Sequence, residues 1–183
     1  MKLRIISGEF KGRYLTLPSS RVTFRPTQER VREALLEIVK ERIPGAIAAD
    51  VCAGSGAFGV ELISRGAHMV HFVENDRLYG QTLVNHVNSF GIEAHCRIFI
   101  EDVRRFIRRR ERSYDIIFYD PPYENDALAL QARPLLSLLS PEGVFVYERA
   151  AGRPFPGSIT GSDEYVETRR YGDTEVDFFT RRR

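Results

Sequence analysis

Three observations predict an α/β domain with a mostly parallel sheet. From residue 46 onward, short apolar strand-type runs alternate with runs of helical periodicity. A glycine-rich turn directly follows the first of those strands. Near the end, two strand-type runs flank Gly172-Asp173, the signature of a hairpin that adds an antiparallel pair to the sheet. Repeated βα units place helices on both faces through right-handed crossovers.

In chain order, Leu3–Ile6 and Arg13–Leu17 are β-type runs that predict a small hairpin flap with its cations facing outward. Thr27 is a candidate N-cap for a helix from Gln28 to Arg42, with Val31, Leu35, Ile38 and Val39 at helical spacing and Pro44-Gly45 as the stop. Strands are then predicted at Ala46–Cys52, His68–Glu74, Glu93–Ile100, Tyr114–Tyr119 and Gly143–Glu148. The intervening helices are Ala57–Arg65, Arg77–Phe90, Asp102–Arg110 and Asp126–Leu139, the last with a kink at Pro134. Glu164–Tyr171 and Glu175–Thr180 form the terminal hairpin. The expected organisation is a basic flap over residues 1–25 and a Rossmann-like domain over 26–183.

Composition sets the outer bounds. A chain of 183 residues with 43% hydrophobic and 28% charged side chains fits one globular domain with a real core. No apolar run approaches the ~20 residues that span a bilayer, and the N-terminus lacks a signal-peptide core, so no membrane partner is expected. Cys52 and Cys96 make no disulfide framework, which points to a reducing cytoplasm. The four histidines share no ligand spacing with the cysteines, so no metal is expected. Net charge is only +2, but residues 1–25 hold Lys2, Arg4, Lys11, Arg13, Arg21 and Arg25 against Glu9 alone. Such a patch attracts polyanions, nucleic acid above all. The arginines between 104 and 112 fit a solvated face equally well.

Two stretches carry chemistry. Asp50-Val51-Cys52-Ala53-Gly54-Ser55-Gly56 joins the first parallel strand to its helix, with Gly59 completing G-x-G-x-x-G and Glu74 standing 20 residues after Gly54. That pattern fits any adenosine-bearing cofactor with an acid on its ribose, nicotinamide dinucleotides included. Asp50 at the turn's mouth is awkward beside a pyrophosphate and acceptable beside an ammonium or sulfonium. The second stretch, Asp120-Pro121-Pro122-Tyr123, ends the fourth parallel strand in a stiff corner. It offers a carboxylate, a carbonyl with no competing N–H beside it, and a phenol ring. Those groups suit a flat ligand with an amino edge. The two stretches become neighbours if strands one and four lie side by side.

Asp-x-x-Ala-Gly-Ser-Gly followed by Asp-Pro-Pro-Tyr resembles the S-adenosylmethionine-dependent amino-methyltransferases. Arg4-Ile5-Ile6-Ser7-Gly8-Glu9-Phe10-Lys11-Gly12-Arg13, Arg25-Pro26-Thr27 with Arg30–Leu35, and Tyr171-Gly172-Asp173-Thr174 narrow the likeness to the RsmD-type 16S rRNA guanine-N2 methyltransferases. The resemblance covers essentially the whole chain, and Cys52 stands where a bulkier apolar residue is usual. It implies a class I methyltransferase fold, S-adenosylmethionine as cofactor, and ribosomal RNA as partner, presented within an assembled small-subunit particle. By the same resemblance Asp50, Ala53, Gly54, Ser55 and Gly56 line the methionine end. Glu74 takes the ribose hydroxyls beside Asn75, and Asp102 and Val103 meet the adenine, although Asp102 also fits a helix N-cap. Asp120, Pro121, Pro122 and Tyr123 would bind and orient the target amine, and Arg4, Lys11, Arg13, Arg21 and Arg25 would contact RNA. Methylation of adenine N6 or another amine, a nicotinamide oxidoreductase, and a non-catalytic RNA-binding protein are the competing readings.

Overall fold

The structure, a computed structural model, describes residues 2–18, 29–109, 113–156 and 165–180. Two short strands, β1 (Lys2–Arg4) and β2 (Tyr14–Thr16), pair antiparallel with Leu3 opposite Leu15. After α1 (Glu29–Val39) the alternation runs β3 (Ile47–Val51), α2 (Ala57–Ser64), β4 (Met69–Glu74), α3 (Arg77–Phe90), β5 (Cys96–Ile100), α4 (Val103–Arg109) and β6 (Tyr114–Tyr119). Then follow α5 (Asp126–Ala129), α6 (Ala132–Leu136), β7 (Leu139–Ala150), β8 (Tyr165–Tyr171) and β9 (Thr174–Thr180). The main sheet has the order β5-β4-β3-β6-β7-β9-β8, parallel except where β9 joins β7 and β8. Strand order reverses between β3 and β6, as the sequence predicts.

Strand alternation divides the core in two. Ala48, Phe72, Ile116, Phe118 and Val146 face α1, α2, α3 and the N-terminal hairpin, whereas Val51, Val73, Ile117, Tyr119 and Phe145 face α4 and α6. Both faces of the central strands are therefore buried, which explains their near-continuous apolar runs.

Four departures from expectation exceed two residues. The helix predicted to reach Arg42 is α-helical only to Val39 and closes in a 3-10 turn over Lys40–Arg42. The third parallel strand starts at Cys96, after a 3-10 turn over Glu93–His95. The helix predicted over 126–139 is two short helices with a break at Leu130-Gln131. Pro134 accounts for the break: it cannot donate to Leu130, four residues earlier, and its ring crowds that carbonyl. The strand predicted to begin at Gly143 begins at Leu139. Pro141 and Glu142 fall in a bulge, because Tyr114 pairs with Leu139 but Ile116 already pairs with Val144, and Glu142 takes φ 65°. Thr27, Gln28, Arg110 and Glu164 lie outside the described residues.

The hairpin is fastened to the main domain by buried groups. Ile5, Phe10 and Leu15 join the first core. The Ile6 N–H donates to Glu61 Oε1 at 2.6 Å, and the Glu9 and Phe10 N–H groups donate to the Ser64 carbonyl and hydroxyl. Gly8, at φ +79°, passes so close to α2 that a Cβ there would lie 1.8 Å from the Ser64 carbonyl oxygen. Beneath this contact Arg32 and Glu61, 1% and 0% exposed, approach within 3.6 Å, and Arg32 also donates to the Arg4 carbonyl. On the other flank, buried His86 bridges Thr16 of β2 and the carbonyl of Ser55.

Candidate active site

The glycine turn follows from backbone conformation. Cys52, Gly54 and Gly56 take φ of 61°, 53° and 75° in close succession, the left-handed region that only glycine enters without strain. Cys52 holds its position against that cost. The turn lets α2 start directly over β3, with Gly56 N–H donating to the Ala53 carbonyl at 2.7 Å and Ala53 N–H to the Val73 carbonyl at 3.0 Å. Gly59 has no room for a side chain, since a Cβ would lie 2.2 Å from the Phe72 ring.

Asp50 is placed beneath this turn rather than at its mouth. Alternation in β3 puts it on the α2 face, 1% exposed, where its carboxylate accepts the Gly59 N–H at 2.9 Å. Burial pushes its carboxyl up to about 7, against the opposing pull of the Gly59 N–H. The sign follows directly. Between the ordinary value near 3.8 and about 7 the folded chain holds a proton that the unfolded chain has lost, so Asp50 makes stability fall as pH rises through that window. Asp50→Asn keeps an acceptor for Gly59 and removes the titration. Melting curves at pH 5 and pH 8 are expected to show a smaller loss with rising pH for the variant than for the parent, and equal losses would refute this account.

Glu74 ends β4 half-buried, with one oxygen accepting the Gly54 N–H at 2.7 Å and the other the Asp76 N–H at 2.7 Å. Burial raises its carboxyl, and those two amides pull it back down. Asn75 is exposed beside it. At the end of β5, Asp102 caps α4 by accepting the Arg104 N–H at 2.8 Å and pairs with the Arg104 side chain, which holds its carboxyl below the usual range. Val103 opens α4, so its N–H belongs to the amides that a helix start leaves without an intrahelical acceptor.

Asp120 follows β6, whose last residue Tyr119 pairs with Val51 of β3, and its N–H reaches the Val51 carbonyl at 3.3 Å. The corner and the glycine turn are thus adjacent across the switch point. The turn after the corner uses the Pro122 carbonyl, which accepts the Asn125 N–H at 3.0 Å, and not that of Pro121. Tyr123 is fixed by its hydroxyl, which donates to buried Glu148 at 2.9 Å and meets Thr174 at 3.0 Å. Desolvation and the Glu148 charge push that phenol far up, so it stays neutral. Glu148 and Thr174 are site residues that sequence reasoning missed; the signal available was a lone acid closing the apolar run Gly143–Tyr147.

Electrostatics unites these parts. Burial, and after it the charges of Glu74, Asp120, Asp50 and Asp102, raise the Cys52 thiol well above its ordinary range. Glu74 ends β4, Asp102 follows β5 and Asp120 follows β6, so three acids stand along the carboxyl edge of the sheet, which suits a ligand with a cationic centre, hydroxyls and an amine. Among the described residues no cluster of three His, Cys, Asp or Glu gathers as a metal site, and no helix is long and apolar enough to cross a membrane. Of the basic residues expected to contact RNA, Arg4, Lys11 and Arg13 are exposed on the hairpin, with Arg13 lying 3.9 Å over the Phe90 ring centroid and donating to the Ser89 carbonyl. Arg21 and Arg25 lie outside the described residues.

The family described as Conserved hypothetical protein 95 matches residues 3–180. A Bacillus subtilis (strain 168) protein, YlbH, provisionally named an rRNA methyltransferase, is 30% identical over 191 residues, 98% of this chain and 100% of its own. Ribosomal RNA small subunit methyltransferase D of Escherichia coli (strain K12) is 34% identical over 127 residues, 69% of this chain and 63% of that protein, so this match spans less than two thirds of its length. The solved structure of Escherichia coli yhhF, provisionally described as a methyltransferase, has a TM-score of 0.84 at 25% identity, with 100% of this chain and 99% of that one covered. A family match from residue 3 to residue 180, over a class I methyltransferase sheet with its glycine turn facing an Asp-Pro-Pro-Tyr corner, places this chain in the RsmD-type family of rRNA methyltransferases.

Proposed function

We propose that this protein transfers the methyl group of S-adenosylmethionine to the exocyclic N2 amine of a guanine in 16S rRNA, acting in the cytoplasm on an assembled small-subunit particle. The observation that carries the reading is the corner Asp120–Tyr123 set directly across the β3/β6 junction from the glycine turn. The cofactor fits the residues present: Glu74 and Asp102 at the carboxyl edge of the sheet match its hydroxylated and amino groups, and the left-handed glycines Gly54 and Gly56 form the tight turn beside them. When bound, it supplies an activated methyl group on a sulfonium. Asp50 supports the turn from below, and Ala53, Gly54, Ser55 and Gly56 line it. Glu74 and Asn75 face the ribose, and Asp102 and Val103 the adenine.

An exocyclic amine is a poor nucleophile because its lone pair is delocalised into the ring. Asp120 and the Pro121 carbonyl accept its two N–H groups, which favours a pyramidal nitrogen with its lone pair directed into the crevice. Tyr123, its hydroxyl held by Glu148 and Thr174, offers a fixed ring for the base to stack on. Holding both reactants in line contributes roughly 7–11 kcal/mol of barrier reduction. Unstacking the base costs a few kcal/mol, and the cationic hairpin offsets this through phosphate contacts.

The test is purified protein with S-adenosylmethionine and small subunits from cells lacking it, followed by nucleoside digestion. N2-methylguanosine is expected; N6-methyladenosine, or no methylation, refutes the reading. Calorimetric titration should show S-adenosylhomocysteine binding and NAD not binding. Replacing Arg4, Lys11 and Arg13 together by glutamine should weaken RNA binding and lower the slope of log K against log salt by roughly 2. An unchanged slope would make the hairpin cations a solvated face.

A further inference from the structure

The corner also borders a cavity of about 470 Å³. It takes Pro121, Pro122 and Tyr123 from the corner, but neither Asp120 nor any residue of the glycine turn lines it. It is therefore next to the place where the methyl group moves and is not that place. Its opposite wall is the chain leaving β7, where Phe155 stands edge-on to Tyr147 with ring centroids 5.2 Å apart. Proline and aromatic faces on both walls make a slot suited to a flat ring, and its volume falls in the range that encloses a small organic group.

The charged side chains of this cavity have assigned tasks, with one at the rim. Glu148 holds the Tyr123 hydroxyl, and Arg149 is engaged by Asp177 and Glu175. Arg153 is half-exposed, and its guanidinium is steadied by the Tyr123 carbonyl at 2.6 Å and by Asp126 at 3.2 Å. Asp126 is itself 90% exposed, so water screens that pair and the cation stays available to an incoming anion. A ring-shaped slot with a positioned cation at its mouth, continuous with a corner that binds a base, matches a nucleobase with its phosphate.

We propose that this cavity binds the nucleotide adjacent to the target guanosine, its base between Pro122 and Phe155 and its phosphate on Arg153. The proposal rests on the function argued above. Unstacking the target removes one neighbour of the flanking base, and the slot replaces that lost stacking with protein. The site thus selects sequence context one nucleotide away from the chemistry.

Ala129→Trp fills the cavity from α5, on a wall that includes neither Asp120 nor the glycine turn. On small subunits lacking the modification it is expected to lower the methylation rate tenfold or more, with affinity for S-adenosylhomocysteine and melting temperature unchanged. Subunits whose rRNA carries a purine or a pyrimidine at the flanking position should be methylated at different rates by the parent and at equally low rates by Ala129→Trp. Photo-crosslinking should join Phe155 or Tyr147 to that flanking nucleotide. An active Ala129→Trp variant that retains the parent's context preference overturns the inference and leaves the function intact. A crosslink to a ribosomal protein instead makes the cavity a protein-docking site and likewise overturns it. A parent protein that methylates no guanine overturns the function itself.

Discussion

Asp120→Ala is expected to lower methyl transfer by about 100- to 1,000-fold, the range for removing one preorganised hydrogen-bonding group from a reacting centre. RNA affinity and affinity for S-adenosylhomocysteine should stay near parental values, because the hairpin cations and the amides that hold Glu74 come from other segments of the chain. Asp120→Asn divides the possible roles. Asparagine retains a carbonyl acceptor for the amine but cannot take a proton near neutral pH. If orientation of the nitrogen is what Asp120 supplies, Asp120→Asn should lose about tenfold or less and Asp120→Ala much more. Equal losses would make Asp120 the proton acceptor. Undiminished transfer in Asp120→Ala would remove the corner from the mechanism altogether. Single-turnover rates with saturating RNA keep binding and chemistry apart.

The largest effect on stability is expected at Glu61. It is fully buried in α2, pairs with Arg32 at 3.6 Å and Arg65 at 3.8 Å, and accepts the Ile6 N–H. Glu61→Leu leaves the Arg32 guanidinium buried without its main carboxylate partner, which costs about 3–5 kcal/mol. For a chain of this size that lowers the melting temperature by roughly 6–20 °C. Burial already lowers the Arg32 pKa, so the ion is held there against its desolvation cost. A well-packed apolar pair avoids that cost, so Arg32→Met combined with Glu61→Leu should recover most of the loss. Chemical denaturation of the two single variants and the double variant closes the cycle. A double variant as unstable as the sum of the singles would show that the pair is not the cause.

The sheet and its switch point were legible because strands buried on both faces read as short continuous apolar runs, and the helices between them as runs of period 3.6. The corner was legible for a related reason: prolines after an apolar strand constrain the backbone whatever surrounds them. Position along the backbone said less about direction. Asp50 looked like a mouth residue from its distance to Gly54, yet strand parity turns it toward α2 and beneath the turn. The helix over 126–139 ran through an apolar pattern that Pro134 overrides locally. The fastening of the hairpin left one trace that was passed over. Ala57-Phe58-Gly59-Val60-Glu61-Leu62-Ile63-Ser64 is buried throughout, and a single acid inside such a helix implies a buried partner. That partner sits 29 residues away, which no local pattern reports.

The close passage of Gly8 over Ser64 also bears on the order of folding. The hairpin is synthesised well before Glu61, Ser64 and His86, the groups that receive it, and contacts spanning 54 to 70 residues form only after the intervening chain is ordered. A two-stranded hairpin is marginal by itself in water, and Ile5 and Leu15 are buried in the core they share with α1, α2 and α3. The hairpin therefore docks late, onto a sheet already formed. A nascent chain emerging from a ribosome thus carries its cationic arm undocked until the methyltransferase core behind it has closed.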